Sequence, residues 1–330
     1  MIRAAPHPPA ALVVPEELHG ERLDKAAPTL YRRAFPDAHV SRAMVQDWIR
    51  IGAVTLSGAR LKGSATAVVG TTLDYAPPPP PPITAEPDAS VRFPVLFEDA
   101  HLLVLDKPPG LVVHPARGHA TGTLVNGLLA RGAVEPRTDD RDPIAHLRPG
   151  IVHRLDMGTS GVMVVAKTEV CREGLRLLFH DHDIDREYVA ITVGDTQAAT
   201  MTTPIGRHPR DRTRMTTRVR EGKLATTRVS VERRLRGATL VRCRLETGRT
   251  HQIRVHLSEI ARTPVLGDPT YGGRPRDPGL RALAAQLGRQ ALHAAVLGFV
   301  HPITKERLRF VTEPPDDMRA ALTALDAPPP

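Results

Sequence analysis

The chain has 330 residues, 41% of them hydrophobic, and carries a net charge of +9. That length is enough for one large and one small domain with a sizeable core, and the hydrophobic content excludes a wholly disordered chain. The apolar runs are too short to cross a bilayer, and two cysteines can form neither a disulfide framework nor a cysteine-rich metal site. We therefore expect no membrane partner and reduced thiols in the cytoplasm.

The N-terminal residues and a run of six prolines, Pro77–Pro82, suggest how the chain is divided. The N-terminal residues contain one Arg, several prolines and no recognisable cleavage site, which indicates a frayed tail and not a signal peptide. Polyproline stays extended and works as a semi-rigid spacer. We predict a flexible tail at residues 1–16, a small module at 17–76, a proline-rich linker at 77–90 and a large domain at 91–330.

The small module has a clear helix signal. Ser41 is a predicted N-cap for a helix over Arg42–Ile51, and the apolar side chains of that helix fall on one face. Two predicted strands follow, Ala53–Leu56 and Leu73–Tyr75, with a turn at Ser57-Gly58 after the first.

The large domain alternates short β-rich runs with loops. Its predicted strands are Leu102–Leu105, Val162–Ala166, Tyr188–Val193, Thr226–Glu232, Thr239–Leu245 and Ile253–Leu257. Its predicted helices are Leu124–Ala130, Val170–His180, Leu280–Gln286 and Asp316–Leu325. Because the strands are not separated by regular helices, the pattern indicates an α+β domain with a mixed, largely antiparallel sheet, and not a doubly wound parallel one.

The positive charge is concentrated between residues 201 and 260, which contain 15 Arg or Lys against 5 Asp or Glu. Nearly all of these cations are Arg, whose planar guanidinium suits contacts with phosphates and bases. This composition indicates a nucleic-acid partner, although a basic surface that serves only solubility would give the same count.

The most informative polar segment is G-I-V-H-R-L-D-M-G-T-S-G, residues 150–161, which runs into the apolar strand Val162–Ala166. Its carboxylate, Asp156, lies in a glycine-bounded loop and is predicted to be buried or half-buried. A catalytic carboxylate that must stay ionised and fixed in place would have these properties. The alternative is a turn or cap residue beside glycine.

Two further segments contain candidate partners. Tyr188 follows Arg186-Glu187 at the start of a predicted strand, where ordinary sheet packing is the alternative. The loop 245–257 contains three possible ligands for RNA or for a carboxylate: Arg249, His251 and Arg254. An Arg beside Asp156 would keep that carboxylate ionised. Spacing alone leaves open whether the three segments meet.

These segments resemble, in the same order, the signature motifs of the pseudouridine synthases of the RluA family: H-R-L-D-x-x-T-S-G, the R-E-Y-V-A run and T-G-R-T-H-Q-I-R-V-H. The resemblance covers about residues 93–314. The small module is similar to the S4 RNA-binding module, through R-L-D-K at residues 22–25 and G-x-V-x-L-x-G at residues 52–58. Together they indicate the branch of the family that modifies large-subunit ribosomal RNA.

The resemblance implies an isomerase that converts specific uridines to pseudouridine in large-subunit (23S-type) ribosomal RNA, free or in a pre-ribosomal particle. Asp156 would attack or stabilise C1′, Arg249 would pair with it, and Tyr188 would pack on the base and accept the final proton. RNA or pocket contacts are implied for Arg154, Lys107, Arg254, Arg22 and Arg42. No metal or organic cofactor is implied, and we expect a monomer.

Three other functions are weighed against this one. A metal hydrolase is disfavoured because the 15 histidines include no H-E-x-x-H pair. A serine hydrolase is disfavoured because Gly158-Thr-Ser-Gly161 lacks the G-x-S-x-G spacing. A non-enzymatic RNA-binding protein built on the S4-like module is the stronger rival. The joint presence of Asp156, Tyr188 and Arg249 argues against it, since holding a polyanion needs no carboxylate.

Overall fold

The structure is a computed structural model, and it describes residues 8–36, 40–78, 85–116, 118–134 and 147–326. The chain divides into two compact units, residues 1–82 and 83–330. Residues 1–7 of the predicted tail and residues 79–84 of the predicted linker lie outside the described part.

The first unit is a small antiparallel sheet with two helices. Its elements in chain order are β1 (Ala10–Val13), α1 (Leu23–Ala34), α2 (Arg42–Ile51), β2 (Val54–Leu56), β3 (Ala59–Arg60) and β4 (Thr72–Tyr75), with a 3-10 turn at Glu16–Leu18. The strands lie in the order β1-β4-β2-β3. Helix α2 begins where the sequence predicts, because the Ser41 hydroxyl accepts a hydrogen bond from the Met44 N–H at 3.2 Å.

Strand β1 lies within the segment that was predicted to be a flexible tail. It pairs with β4, with Leu12 opposite Leu73, and the following Val14 is 1% exposed. The prediction of a flexible tail over residues 1–16 is therefore wrong from Ala10 onward. Prolines stand on both sides of this four-residue strand and interrupt its apolar pattern in the sequence. Proline is nevertheless compatible with the ends of an edge strand.

The second unit is built on one ten-stranded sheet. Its strands are β5 (Val95–Glu98), β6 (Leu102–Lys107), β7 (Ser160–Ala166), β8 (Asp185–Val193), β9 (Ala199–Arg207), β10 (Met215–Thr216), β11 (Lys223–Leu235), β12 (Ala238–Leu245), β13 (Leu292–Val300) and β14 (Arg307–Val311). Its helices are α3 (Leu124–Ala130), α4 (Glu169–His180), α5 (Gln252–Val255), α6 (Pro278–Leu287) and α7 (Asp316–Asp326). No described helix combines the length and apolar character needed to cross a membrane.

The strand order is β10-β9-β11-β12-β8-β13-β7-β6-β5, and β14 also pairs with β13. Among the described strands, β7 and β13 pair in parallel, while the other neighbours are antiparallel. The predicted α+β class with a mixed, largely antiparallel sheet is confirmed. Five strands of this sheet were not predicted: β5, β9, β10, β13 and β14.

Strand β7 lies between β13 and β6 in the sheet, and all seven of its residues are buried. Its second residue, Gly161, has φ +117°, and a Cβ there would lie 2.2 Å from Ala294 O of β13. Only glycine permits this backbone conformation and this close approach of two strands. The loop that precedes β7, which contains Asp156, is thereby fixed at the junction of β7 and β13.

The predicted strand Ile253–Leu257 is wrong. These residues belong to α5 and to a π-helical turn, His256–Ile260. The run alternates polar and apolar residues with the period of a half-buried strand, but all of the residues from Gln252 to Leu257 are buried, so the alternation does not separate a buried face from an exposed one. The Gln252 side chain fixes the helix start, since its Oε1 accepts from Arg249 N at 3.0 Å and its Nε2 donates to Thr226 O at 3.0 Å.

Candidate active site

Asp156 presents a carboxylate in the loop before β7. Its main-chain carbonyl accepts a hydrogen bond from Thr159 N at 3.0 Å, which closes a turn, and its side chain is 20% exposed. Oδ2 accepts from Arg254 Nη1 at 2.8 Å. Oδ1 lies 3.8 Å from His251 Nε2. One carboxylate oxygen is therefore held by a cation, while the other faces an imidazole.

Arg254 bridges two carboxylates. Its Nε and Nη2 donate to the two oxygens of Asp268 at 2.7 and 2.9 Å, while Nη1 reaches Asp156. Arg254 is only 4% exposed, and burial disfavours its charge, but the two carboxylates outweigh burial and raise its pKa above the ordinary value. Such a forked, charge-assisted arrangement fixes both the charge and the direction of the Asp156 side chain.

This geometry corrects two predictions. The partner of Asp156 was predicted to be Arg249, but the Arg249 Nε donates to Leu224 O at 3.2 Å, at the start of β11. Arg254 was predicted to contact RNA, but it is buried between two carboxylates. Both errors have one cause: residues 252–255 are helical, so Arg254 projects toward Asp156 while Arg249 precedes the helix.

The loop that carries Asp156 is held by donors from two directions. Lys107 Nζ and Gly110 N donate to Met157 O at 3.2 and 2.9 Å. Arg289 Nη1 donates to Gly158 O at 2.9 Å. These bonds anchor the backbone of the two residues that follow Asp156, so the carboxylate stands on a rigid support.

Lys107 does not line an RNA surface, contrary to the prediction. It is 0% exposed, and its Nζ donates to three main-chain carbonyls, those of Pro108, Leu111 and Met157. Burial lowers the pKa of Lys107 to about 7, although the charge of Asp156 opposes this shift. Lys107 therefore acts on the loop and cannot reach a phosphate.

Tyr188 lies on β8, opposite Cys243 of β12 and Ala294 of β13, and is half-buried. Burial raises the pKa of its phenol; the nearby charge of Arg186 lowers that pKa and the charge of Asp156 raises it. Tyr188 therefore lies near enough to Asp156 for the charge of that carboxylate to act on its phenol. The Tyr188 hydroxyl keeps its proton at neutral pH.

The remaining predicted RNA contacts lie on the surface. Arg154 is exposed, two residues before Asp156, and its Nη1 lies 3.4 Å from His114 Nε2. In the first unit, Arg22 and Arg42 are half-exposed and both pair with Asp24, at 3.0 and 2.6 Å. Asp24 therefore holds these two cations and neutralises part of their charge.

Comparison with known proteins identifies the family of this chain. A sequence model of the family described as RNA pseudouridylate synthase matches residues 101–259. "Ribosomal large subunit pseudouridine synthase D" of Xanthomonas campestris pv. campestris is 41% identical, over 95% of this chain and 91% of that protein. The chain belongs to the RluA family of RNA pseudouridine synthases.

Two further proteins whose names describe them as pseudouridine or pseudouridylate synthases are similar to this chain. "Uncharacterized RNA pseudouridine synthase YlyB" of Bacillus subtilis is 40% identical, over 92% of this chain and 93% of that protein. Among solved structures, "Human RNA Pseudouridylate Synthase Domain Containing 4" is 27% identical, with a TM-score of 0.54, over 70% of this chain and 92% of that chain.

Sequence reasoning missed two residues of this pseudouridine synthase's site, Asp268 and Tyr271. Asp268 Oδ1 also accepts from the N–H groups of Thr270 and Tyr271, at 2.8 and 3.0 Å, so the carboxylate that holds Arg254 is itself held by a turn. The available signal was the segment G-D-P-T-Y-G-G, residues 267–273, whose polar residues stand between glycines.

The basic stretch of this pseudouridine synthase separates into two parts. On β11 and β12 the arginines are paired: Arg228 with Glu246 at 2.5 Å, Arg242 with Glu187 at 3.0 Å and Arg244 with Asp185 at 2.7 Å. Residues 207–223, here called the basic arm, contain seven Arg or Lys and two acidic residues. Six of those cations are exposed: Arg207, Arg210, Arg212, Arg218, Arg220 and Lys223.

Proposed function

We propose that this chain isomerises uridines to pseudouridine in large-subunit ribosomal RNA, with Asp156 as the catalytic carboxylate. The observation that carries the proposal is the carboxylate–guanidinium–carboxylate bridge from Asp156 through Arg254 to Asp268, in which one oxygen of the partly exposed Asp156 side chain accepts no hydrogen bond from the described residues. A carboxylate that only forms a structural ion pair needs no such open oxygen. A carboxylate that attacks or stabilises C1′ of a ribose needs one.

The proposed chemistry makes and breaks one bond of the same nucleotide. The N1–C1′ bond breaks while Asp156 attacks or stabilises C1′, the base turns, and a C5–C1′ bond forms. The C5 proton then leaves and N1, which carries no proton in uridine, takes one up, so the product is an isomer and no cofactor is consumed. Arg254 would hold the carboxylate ionised and aimed through these steps.

The target base must leave its stack, because its reacting atoms are otherwise inaccessible, and this costs least in loops. The exposed Arg154, two residues from Asp156, would fill the space that the base leaves. Tyr188 would pack on the base and pass the C5 proton on. Tyr188→Phe tests this role: RNA binding should persist while product formation stalls, and normal turnover would exclude the hydroxyl.

The RNA would be held by the exposed cations of the basic arm and by residues 17–76 as an S4-like module, with Arg22 and Arg42 as its contacts. Large-subunit ribosomal RNA is the proposed substrate because relatives that match over nearly the full length bear that name. A free or ribosome-bound rRNA substrate would place the protein in the cytoplasm, where we expect it to act as a monomer.

The test is to map pseudouridines by carbodiimide-based primer extension in strains with and without the gene. Specific stops in large-subunit RNA should disappear with the gene and return when wild-type protein is supplied. Loss of stops from transfer RNA alone would refute the proposed substrate while leaving the reaction intact. A full set of stops in both RNAs would refute both.

A further inference from the structure

Tyr271 joins the basic arm to the catalytic carboxylate. It is 5% exposed, and its hydroxyl oxygen accepts from Met215 N of the basic arm at 2.8 Å. The same oxygen lies 2.8 Å from His251 Nδ1. The ring packs against two guanidinium groups, with Arg254 Cζ at 5.0 Å and Arg214 Cζ at 5.3 Å from its centroid.

These contacts define which nitrogen of His251 carries the proton. Burial raises the pKa of Tyr271, so the phenol keeps its one proton. The phenol oxygen already accepts the Met215 N–H, and its own proton is left to be donated to His251 Nδ1. Burial also lowers the pKa of His251, which keeps the ring neutral. The proton of the neutral ring then lies on Nε2, the nitrogen that faces Asp156 Oδ1.

The basic arm is fixed where it meets Tyr271. Glu259, in the π-helical turn after α5, accepts from Thr216 Oγ1 and from Thr217 N at 2.9 and 2.8 Å. The Met215 N–H is therefore held in place by the following two residues. A displacement of the basic arm would therefore change the hydrogen bond between Met215 N and the Tyr271 hydroxyl, and with it the contact of that hydroxyl with His251.

We propose that Tyr271 is a positioning residue that holds His251 with its proton on Nε2 and thereby couples the basic arm to Asp156. Asp156 then accepts from a guanidinium at Oδ2 and has an imidazole N–H that faces Oδ1 at 3.8 Å, beyond hydrogen-bond distance, so Oδ1 stays free to approach C1′. The catalytic part of this inference rests on the proposed function. The protonation state of His251 does not.

The test uses Tyr271→Phe in the full chain, because phenylalanine keeps the ring between both guanidinium groups and removes only the hydroxyl. Long-range proton–nitrogen spectra of histidine-labelled protein report the tautomer, and the His251 signal is the one lost in His251→Gln. Wild-type His251 should carry its proton on Nε2, and Tyr271→Phe should shift it toward the Nδ1 form. With rRNA substrate, kcat should fall by about tenfold while KM stays within about twofold.

Tyr75→Phe is the matched control, since it removes the hydroxyl of a buried tyrosine that donates to Ala27 O at 2.9 Å in the first unit. It should leave the His251 signal unchanged. A wild-type His251 protonated on Nδ1 would overturn the proposal, and so would an unchanged tautomer and kcat in Tyr271→Phe. If wild-type protein made no pseudouridine, the proposed function would fail while the spectra still decided the role of Tyr271.

Discussion

Replacing Arg254 by alanine should be far more damaging than replacing Arg249. Arg254 makes three charge-assisted hydrogen bonds, at 2.7, 2.8 and 2.9 Å, and one of its partners, Asp268, has a fully buried carboxylate. Removing one member of a buried ion pair costs about 3–5 kcal/mol, because a charge is left without a partner. For a unit of this size that lowers Tm by roughly 6–20 °C.

Arg249→Ala is the comparison, because it removes an equally long cation from the same loop. The Arg249 side chain is partly exposed and makes one hydrogen bond, to Leu224 O, so its loss should cost no more than about 1 kcal/mol. Misplacing the carboxylate in Arg254→Ala should lower kcat by roughly a hundredfold, while Arg249→Ala should keep kcat.

Thermal unfolding of the second unit and tritium release from C5-labelled uridine measure these two effects. Arg254→Lys keeps a positive charge but cannot bridge two carboxylates with a planar fork, so it provides a milder variant should Arg254→Ala fail to fold. The reasoning is refuted if Arg249→Ala loses stability and kcat as severely as Arg254→Ala, or if Arg254→Lys behaves as wild type.

Three further predictions concern the loop, the basic arm and the first unit. Burial lowers the Lys107 pKa to about 7, so between pH 7 and roughly 10 the unfolded chain binds more protons and the free energy of unfolding rises with pH. Chemical denaturation at pH 7 and 9.5 should show that rise in the free energy of unfolding in wild type but not in Lys107→Met. An equal change with pH in the two proteins would contradict the prediction. The double variant Arg210→Ala/Arg220→Ala should make the slope of log affinity against log salt less negative by about 1.4 for single-stranded RNA, and an unchanged slope would place the RNA elsewhere. Deleting residues 1–82 should weaken binding to long rRNA and leave the second unit folded, and unfolding of the truncated protein would refute the proposed boundary.

Elements with a local signal were predictable from the sequence. Helix α2 has a serine cap and an apolar stripe, and α3 is predicted with its observed bounds, Leu124–Ala130. Strand β7 is predicted because seven consecutive buried residues form an unmistakable apolar run. Strand β1 was missed because four residues between prolines carry too little pattern.

Two of the predicted segments meet in the structure, but the pairing differs from the predicted one. The loop of Asp156 and the segment 245–257 come together through Arg254 and not through Arg249. The choice between Arg249 and Arg254 depends on whether residues 252–257 form a strand or a helix, and their alternation of polar and apolar residues indicates a strand although the segment is helical and buried throughout. Asp268 lies 14 residues after Arg254, and only the tertiary fold brings their side chains together.

The most direct test of the central claim is tritium release by Asp156→Asn on a C5-labelled large-subunit rRNA. Asparagine keeps the size of the side chain and an oxygen that can accept from Arg254, but it removes the charge. The rate should fall by at least about a thousandfold. RNA affinity should stay equal or rise slightly, because one negative charge leaves the surface that holds a polyanion. Wild-type release by Asp156→Asn would contradict the assignment of Asp156 as the catalytic carboxylate.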